Sequence, residues 1–180
     1  LLRKKDGSMS SDTRDTINVL LEEHFPRCEV EAKLPYQPKS KKHTLTGFEW
    51  ITTARVRQSI KEFGPHKGAG PDEYKPIVLQ NLPDRAIERL TIIFQACVQL
   101  EYTPYLWRKS IVTFMAKANK PDKADARAYR PLSLTSYMLK SLERVIKYHL
   151  EDEIFTKYPL HSKQYAFQKG KGTDDALSHT

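Results

Sequence analysis

Trp107-Arg108-Lys109-Ser110-Ile111-Val112-Thr113-Phe114-Met115-Ala116-Lys117 leads through a basic loop, Ala118–Ala128, into Tyr129-Arg130-Pro131-Leu132-Ser133-Leu134. Ile111–Met115 is a short, continuous apolar run. It predicts a strand over Lys109–Lys117 that is suited to burial on both faces. The cations are Arg108, Lys109, Lys117, Lys120, Lys123, Arg127 and Arg130, and the only carboxylates are Asp122 and Asp125. The local charge is therefore +5. Cations gathered on one strand-loop unit suit phosphate. If the two runs pair, Lys117 and Arg130 can converge on one side of the loop.

Around this unit the sequence reads as helices. Asp12 offers an N-cap to a helix carrying Ile17, Leu20, Leu21 and His24 on one face, stopped by Pro26. Thr52 or Thr53 caps another, with Val56, Ile60 and Phe63 at helical spacing before Gly64-Pro65 ends it. Lys75–Leu82 reads as a short helix. Asp84 caps a longer one striped by Ile87, Leu90, Phe94, Cys97 and Val98. After the hairpin, Thr135 or Ser136 starts a helix with Leu139, Leu142, Val145, Ile146 and Leu150 inward and Lys140, Glu143, Arg144 and Lys147 outward. Tyr165–Lys169 reads as a short strand returning to the first, and Thr173 as the cap of a last helix. The expected class is α+β, mainly helical with a small antiparallel sheet near 109–133 and 164–168. Leu1–Ser11 reads as disordered, and Arg27–Gly47, rich in Pro, Lys and Ser, as an extended linker.

The whole chain has 180 residues and 30 basic to 22 acidic side chains, a net charge of +8, which favours a polyanionic partner. Cys28 and Cys97 lie far apart without metal-ligand spacing, which argues against a disulfide framework and for a reducing intracellular compartment. No apolar run reaches membrane-spanning length, so no membrane partner is expected. The first residue is not Met and the last helix has barely begun at Thr180, so the chain reads as a fragment. Neither Lys67–Asp72 nor Gly170-Lys171-Gly172-Thr173 ends in the Gly-Lys-Ser/Thr of a Walker loop. Asp174-Asp175 is the one adjacent Asp pair, and its place after Gly172-Thr173 reads as helix capping.

Three blocks in order carry a resemblance: Lys67-Gly68-Ala69-Gly70-Pro71-Asp72, the strand-loop unit with its Tyr129–Leu134 ending, and Gln164–Leu177 (Q-Y-A-F-Q-K-G-K-G-T-D-D-A-L), with P-x-x-W at Pro104–Trp107 between. Together they resemble the fingers motifs of reverse transcriptases from non-LTR (LINE-type) retrotransposons, over roughly residues 45–180. The chain departs from that pattern at Gln168, where the family has a basic residue, and at Gly172, where it has Ser. The resemblance implies an N-terminal extension and linker over 1–48 and the fingers of a right-hand polymerase over 49–180, without palm or thumb. It implies that Lys117 and Arg130 contact the triphosphate of the incoming dNTP. It further implies template contacts from Lys67, Gly70, Lys120, Lys123, Arg127, Gln164, Lys169, Lys171 and Thr173. The plain alternatives are a solvated strand end for Lys117, a structural partner of a helix C-terminus for Arg130, and a turn between helices for Lys67–Asp72.

Partners on this reading are an RNA template and RNA–DNA hybrid, in the cytoplasm and nucleus. No catalytic aspartates and no cofactor are expected in this segment, while the full-length polymerase would use Mg. The rival readings are a non-catalytic nucleic-acid-binding module, such as a polymerase relic, and a basic protein-interaction domain.

Overall fold

A computed structural model of the chain describes residues 1–26, 47–168 and 170–178. The expected linker, with Cys28, falls outside them except for Gly47, and so does Lys169. Among the described residues the class is α+β, with seven helices and one two-stranded antiparallel sheet.

The base is helical. Thr52 caps α2 (Thr53–Lys61), its hydroxyl accepting the Arg55 N–H at 3.2 Å, which satisfies a donor that the first helical turn leaves open. Val56 and Ile60 are buried, and Phe63 meets Tyr137 edge-on at 4.9 Å. α3 (Pro76–Gln80) opens on a proline, whose missing N–H costs nothing at that position. α4 (Asp84–Gln99) departs from expectation at its start: Pro83 holds the cap position, and Asp84 is the first helical residue, paired with Arg57. Its stripe Ile87, Leu90, Phe94 and Cys97 is buried as the spacing predicts, and Val98 packs against it.

α5 (Tyr105–Arg108) is a single turn that drives Trp107 into this core, edge-on to Phe94 at 5.9 Å. α6 (Tyr137–His149) is capped by Ser136, which accepts the Met138 N–H at 3.1 Å. Leu142 and Val145 are buried with Tyr137. Leu150, expected on the inward face, is exposed: it is the C-cap of α6, beyond Val145 and Ile146, the last of that face to pack on the core, and from it the backbone widens into a π turn, Leu150–Ile154. Bonding from Phe155 N–H to the Leu150 carbonyl shifts later side chains off the α-helical stripe. Arg144, expected in solvent, bridges two helices: it donates to the Ser59 carbonyl at 2.7 Å, lies 4.0 Å over Phe63 and pairs with Glu62.

From this base projects a hairpin, β1 (Ser110–Ala116) and β2 (Tyr129–Thr135), with Met115 opposite Arg130 and Ser110 opposite Thr135. Burial of β1 on both faces does not occur. Ile111 and Met115 are 47% and 54% exposed, because no helix or strand among the described residues covers the face they share. The third strand expected at Tyr165–Lys169 is likewise absent, since the described part of that segment is turns and Phe167 is fully exposed with φ of +62°.

The other hairpin face has its own small core. Leu2, expected in a disordered tail, is 2% exposed and packs with Leu20 and Ala126, with Phe114 and Tyr129 alongside. Leu1–Ser11 folds back as a hook, with Arg3 bridged to Met9 and the Ser10 hydroxyl accepting the Leu2 N–H at 2.8 Å. Asp12 then caps α1 (Thr13–His24), accepting the Asp15 N–H at 2.9 Å. Of the expected stripe only Leu20 is buried; Ile17 and Leu21 are exposed and Val19 packs inward instead. The surface α1 meets is narrow, little more than Ala126 and Phe114, so two more large side chains find nothing to cover them.

Candidate functional site

The loop of the hairpin is built by its own polar groups. Asp122 accepts the Ala124 N–H at 2.9 Å, and Asp125 accepts the Arg127 N–H at 2.9 Å, starting a single 3-10 turn at Ala126–Ala128. That backbone bond, followed by the Arg127 side chain, holds the Asp125 carboxyl below its usual range. The two carboxylates of the unit are thus spent on shaping the loop. Arg3 adds a bond from its N–H to the Ala124 carbonyl at 2.8 Å and an ion pair with Asp122 at 3.2 Å. His24 Nε2 lies 3.1 Å from the Ala126 carbonyl oxygen. The hook and α1 therefore clamp the loop from behind.

Lys117 prolongs the ladder, donating its N–H to the Ala128 carbonyl at 2.7 Å, and its ammonium closes the loop on the Arg127 carbonyl at 2.6 Å. The Lys123 ammonium turns back to the Lys117 carbonyl. Arg130 is different. It is exposed, and among the described residues it makes no ion pair. Cross-strand partners share a face and residues two apart along a strand do too. Lys117, Met115 and Arg130 therefore lie on one face, with the hook on the other. Among the described residues Arg130 makes no bond to a helix C-terminus, and the Lys117 ammonium is bonded to the loop backbone. Lys120 is exposed, and Arg127 is paired with Asp125 at 3.2 Å.

The Lys67–Asp72 block sits elsewhere. Gly68 lies against Leu134, and a Cβ at Gly70 would come within 2.6 Å of the Thr135 carbonyl carbon and 2.7 Å of the Ser136 nitrogen. The Ser136 hydroxyl, which caps α6, donates to the Asp72 carboxylate. The block is thus seated at the foot of the hairpin, on the junction of β2 and α6. Six residue steps of β2, roughly 20 Å, separate it from the loop. Sequence reasoning missed the Asp72–Ser136 bond; an Asp ending a Gly-Pro turn and a Ser at a helix start are each ordinary, and only the fold pairs them.

Gln164 donates its N–H to the His161 carbonyl at 2.9 Å and accepts from the Gln168 amide at 2.7 Å. The Lys171 ammonium stands 5.5 Å over the Tyr165 ring. Gly170 has a φ of +78°, a conformation that favours glycine, with open space around it. α7 (Thr173–Ser178) buries no residue. Thr173 is its first residue instead of its cap, and Asp175 accepts the Gly172 N–H at 2.7 Å, so this carboxylate is occupied in starting a helix. The structure brings Lys117, Lys123, Arg127 and Arg130 together, and keeps Lys67 and Gly70 at the far end of the ribbon. Lys169 lies outside the described residues. No group of three or more His, Cys, Asp or Glu among the described residues is arranged to hold a metal ion, and no helix of theirs is long and apolar enough to cross a membrane.

Comparison with known proteins points one way. The chain is 33% identical, over 74% of its length, to the Drosophila melanogaster protein named probable RNA-directed DNA polymerase from transposon X-element. It is 27% identical, over 71% of its length, to the RNA-directed DNA polymerase from mobile element jockey of the same species. A third relative, at 22% identity over 96% of this chain, is the retrovirus-related Pol polyprotein from type-1 retrotransposable element R1 of Bradysia coprophila. The chain spans only 14% of the length of the first two and 17% of the third. No family model matches it.

Proposed function

The chain is homologous to a segment of the RNA-directed DNA polymerases of non-LTR retrotransposons, and from that premise we propose that it is the fingers portion, holding the RNA template and the incoming nucleotide. Residues 1–48 are the N-terminal extension and 49–180 the fingers. The observation that carries the reading is the hairpin register, with Lys117 and Arg130 at the loop end of one open face.

On this reading Arg130 binds the triphosphate. A planar guanidinium offers paired N–H donors to phosphate oxygens, and this one spends none of them on a carboxylate among the described residues. The Lys117 ammonium keeps N–H donors beyond the one on Arg127 and adds a second positive charge beside it. Lys120, Lys123 and Arg127 at the loop, and Lys67, Gln164, Lys171 and Thr173 elsewhere, meet template phosphates as a diffuse field. Gly70 serves by letting its block sit on the β2–α6 junction.

In a complete polymerase, magnesium ions on palm carboxylates would activate the 3′-hydroxyl and stabilise the leaving pyrophosphate. The residues described here do not fit such a site, so this segment holds and orients; alone it should extend no primer.

Arg130 gives the test, in a polypeptide extended to an active polymerase. Loss of a charge-assisted bidentate contact is worth about 1.5–3 kcal/mol, roughly ten- to hundredfold in kcat/KM. Arg130→Ala should raise the nucleotide KM by a large share of that, and Arg130→Lys should recover part. A lower melting temperature with an unchanged nucleotide KM would make Arg130 structural and end the assignment.

A further inference from the structure

At the foot of the hairpin, opposite its loop, four residues form a cluster that the reading above leaves without a role. Tyr105 is 59% exposed at the start of α5. The Lys109 ammonium lies 4.4 Å from the centre of its ring, and the Arg108 guanidinium 6.0 Å from it. The same guanidinium is 5.8 Å from the Tyr102 ring. Arg108 and Lys109 are both exposed and, among the described residues, neither makes an ion pair. By contrast, Arg55, Arg57, Arg144, Lys147 and Lys157 are each matched by a carboxylate.

The cluster also lies in line with the open ribbon face. By strand alternation Lys109 shares the side of Ile111, Thr113, Met115 and Lys117. Gly68, next to Lys67, packs on Leu134, the partner of Ile111. The exposed strip of Ile111, Met115 and Leu132 therefore has cations at both ends. Eight residue steps separate Lys109 from Lys117, roughly 26 Å.

We infer that Tyr105, with Arg108, Lys109 and Tyr102, is a second contact site for single-stranded RNA, distinct from the loop. One base stacks on the exposed Tyr105 ring, and the flanking phosphates meet Arg108 and Lys109. Aromatic rings beside unneutralised cations are what sequence-tolerant single-strand binding uses, since every base has a π face. At the stacked spacing of about 3.4 Å per nucleotide, about eight nucleotides link this site to the loop. The inference rests on the RNA-binding reading of the chain.

The test uses the 180-residue chain and RNA oligonucleotides of about 4 and about 12 nucleotides, with affinity read by fluorescence anisotropy. Tyr105→Ala should weaken the longer RNA by about five- to a hundredfold and leave the shorter one, held at the loop, within about twofold. Tyr105→Phe should bind like the parent. Lys109→Gln should lower the magnitude of the log–log salt slope for the longer RNA by about 0.7. Unchanged affinity for the longer RNA in Tyr105→Ala and an unchanged slope in Lys109→Gln would overturn the site while leaving loop binding intact. Equal losses on both lengths with a lower melting temperature would show Tyr105 to be structural and overturn it too. If the parent chain binds neither RNA at low salt, the reading of the whole segment falls, and this site with it.

Discussion

Two residues show how closely this fold depends on single side chains. Gly70 has backbone where any other residue would have a Cβ, 2.6 Å from Thr135. Gly70→Ala must therefore push the Lys67–Asp72 block off the β2–α6 junction and strain the Asp72–Ser136 bond. Overpacking of this kind costs about 1–3 kcal/mol, a fall in melting temperature of roughly 2–12 °C at this size. Gly68→Ala is the control, because its Cβ would meet only Leu134 at an ordinary 3.8 Å. Calorimetry on the two variants should separate them clearly; equal melting temperatures would mean that the junction yields and that the close approach is no constraint. Arg130 depends on little around it. Its exposure and lack of a partner among the described residues leave its charge open to a ligand.

The hairpin and its hook are the elements where sequence and structure part. Spacing made α2, α4 and α6 legible, since Val56, Ile60, Phe94 and Val145 recur at helical intervals and each is buried. Pairing of β1 with β2 was legible too. The burial of β1 was not, because an unbroken apolar run carries no information about which face will be covered. Leu1–Ser11 reads as disordered because its polarity is high, yet Leu2, the Ser10 hydroxyl and the bonds of Arg3 and Lys4 fold it against Ala126 and α1. The clamp can be tested by removing its anchor. Leu2→Ala should cost about 2–5 kcal/mol of local stability and speed hydrogen exchange in α1 and the loop while sparing α4. Acid should act similarly. Asp15 is held below its ordinary value of 3.8, first by its bond with Lys4, and Asp125 likewise, first by the Arg127 N–H. Groups depressed in the folded state lend stability above their unfolded pKa and lose it as pH falls through the folded one. Exchange in α1 should therefore rise below about pH 4, the ordinary carboxylate range, and α4 should stay protected. Simultaneous loss of α1 and α4 would mean that hook and base unfold as one unit.

At the scale of the molecule, a helical base carries a basic arm, and the net charge of +8 is unevenly spread. In the base, Arg57 is paired with Asp84 and Arg55 with Asp152. The arm spends its few carboxylates on loop geometry and leaves Lys120 and Arg130 open. The cations of the arm were thus legible as a set of residue types, but their grouping was not. Lys117, Lys123, Arg127 and Arg130 gather at the loop, while Lys67 lies at the foot, a division that depends on the hairpin register and on Gly68 meeting Leu134.

We expect this arm to meet nucleic acid through phosphate. The most direct test is a salt titration of single-stranded RNA binding by the 180-residue chain and by a Lys120→Gln, Lys123→Gln, Arg127→Gln variant. The parent should bind at low salt, with log affinity falling linearly in log salt at about −0.7 per phosphate neutralised, and the triple variant should lose about 2 from the magnitude of that slope. Absence of binding at low salt, or a slope that the triple substitution leaves unchanged, would show that the arm does not hold RNA through its loop cations.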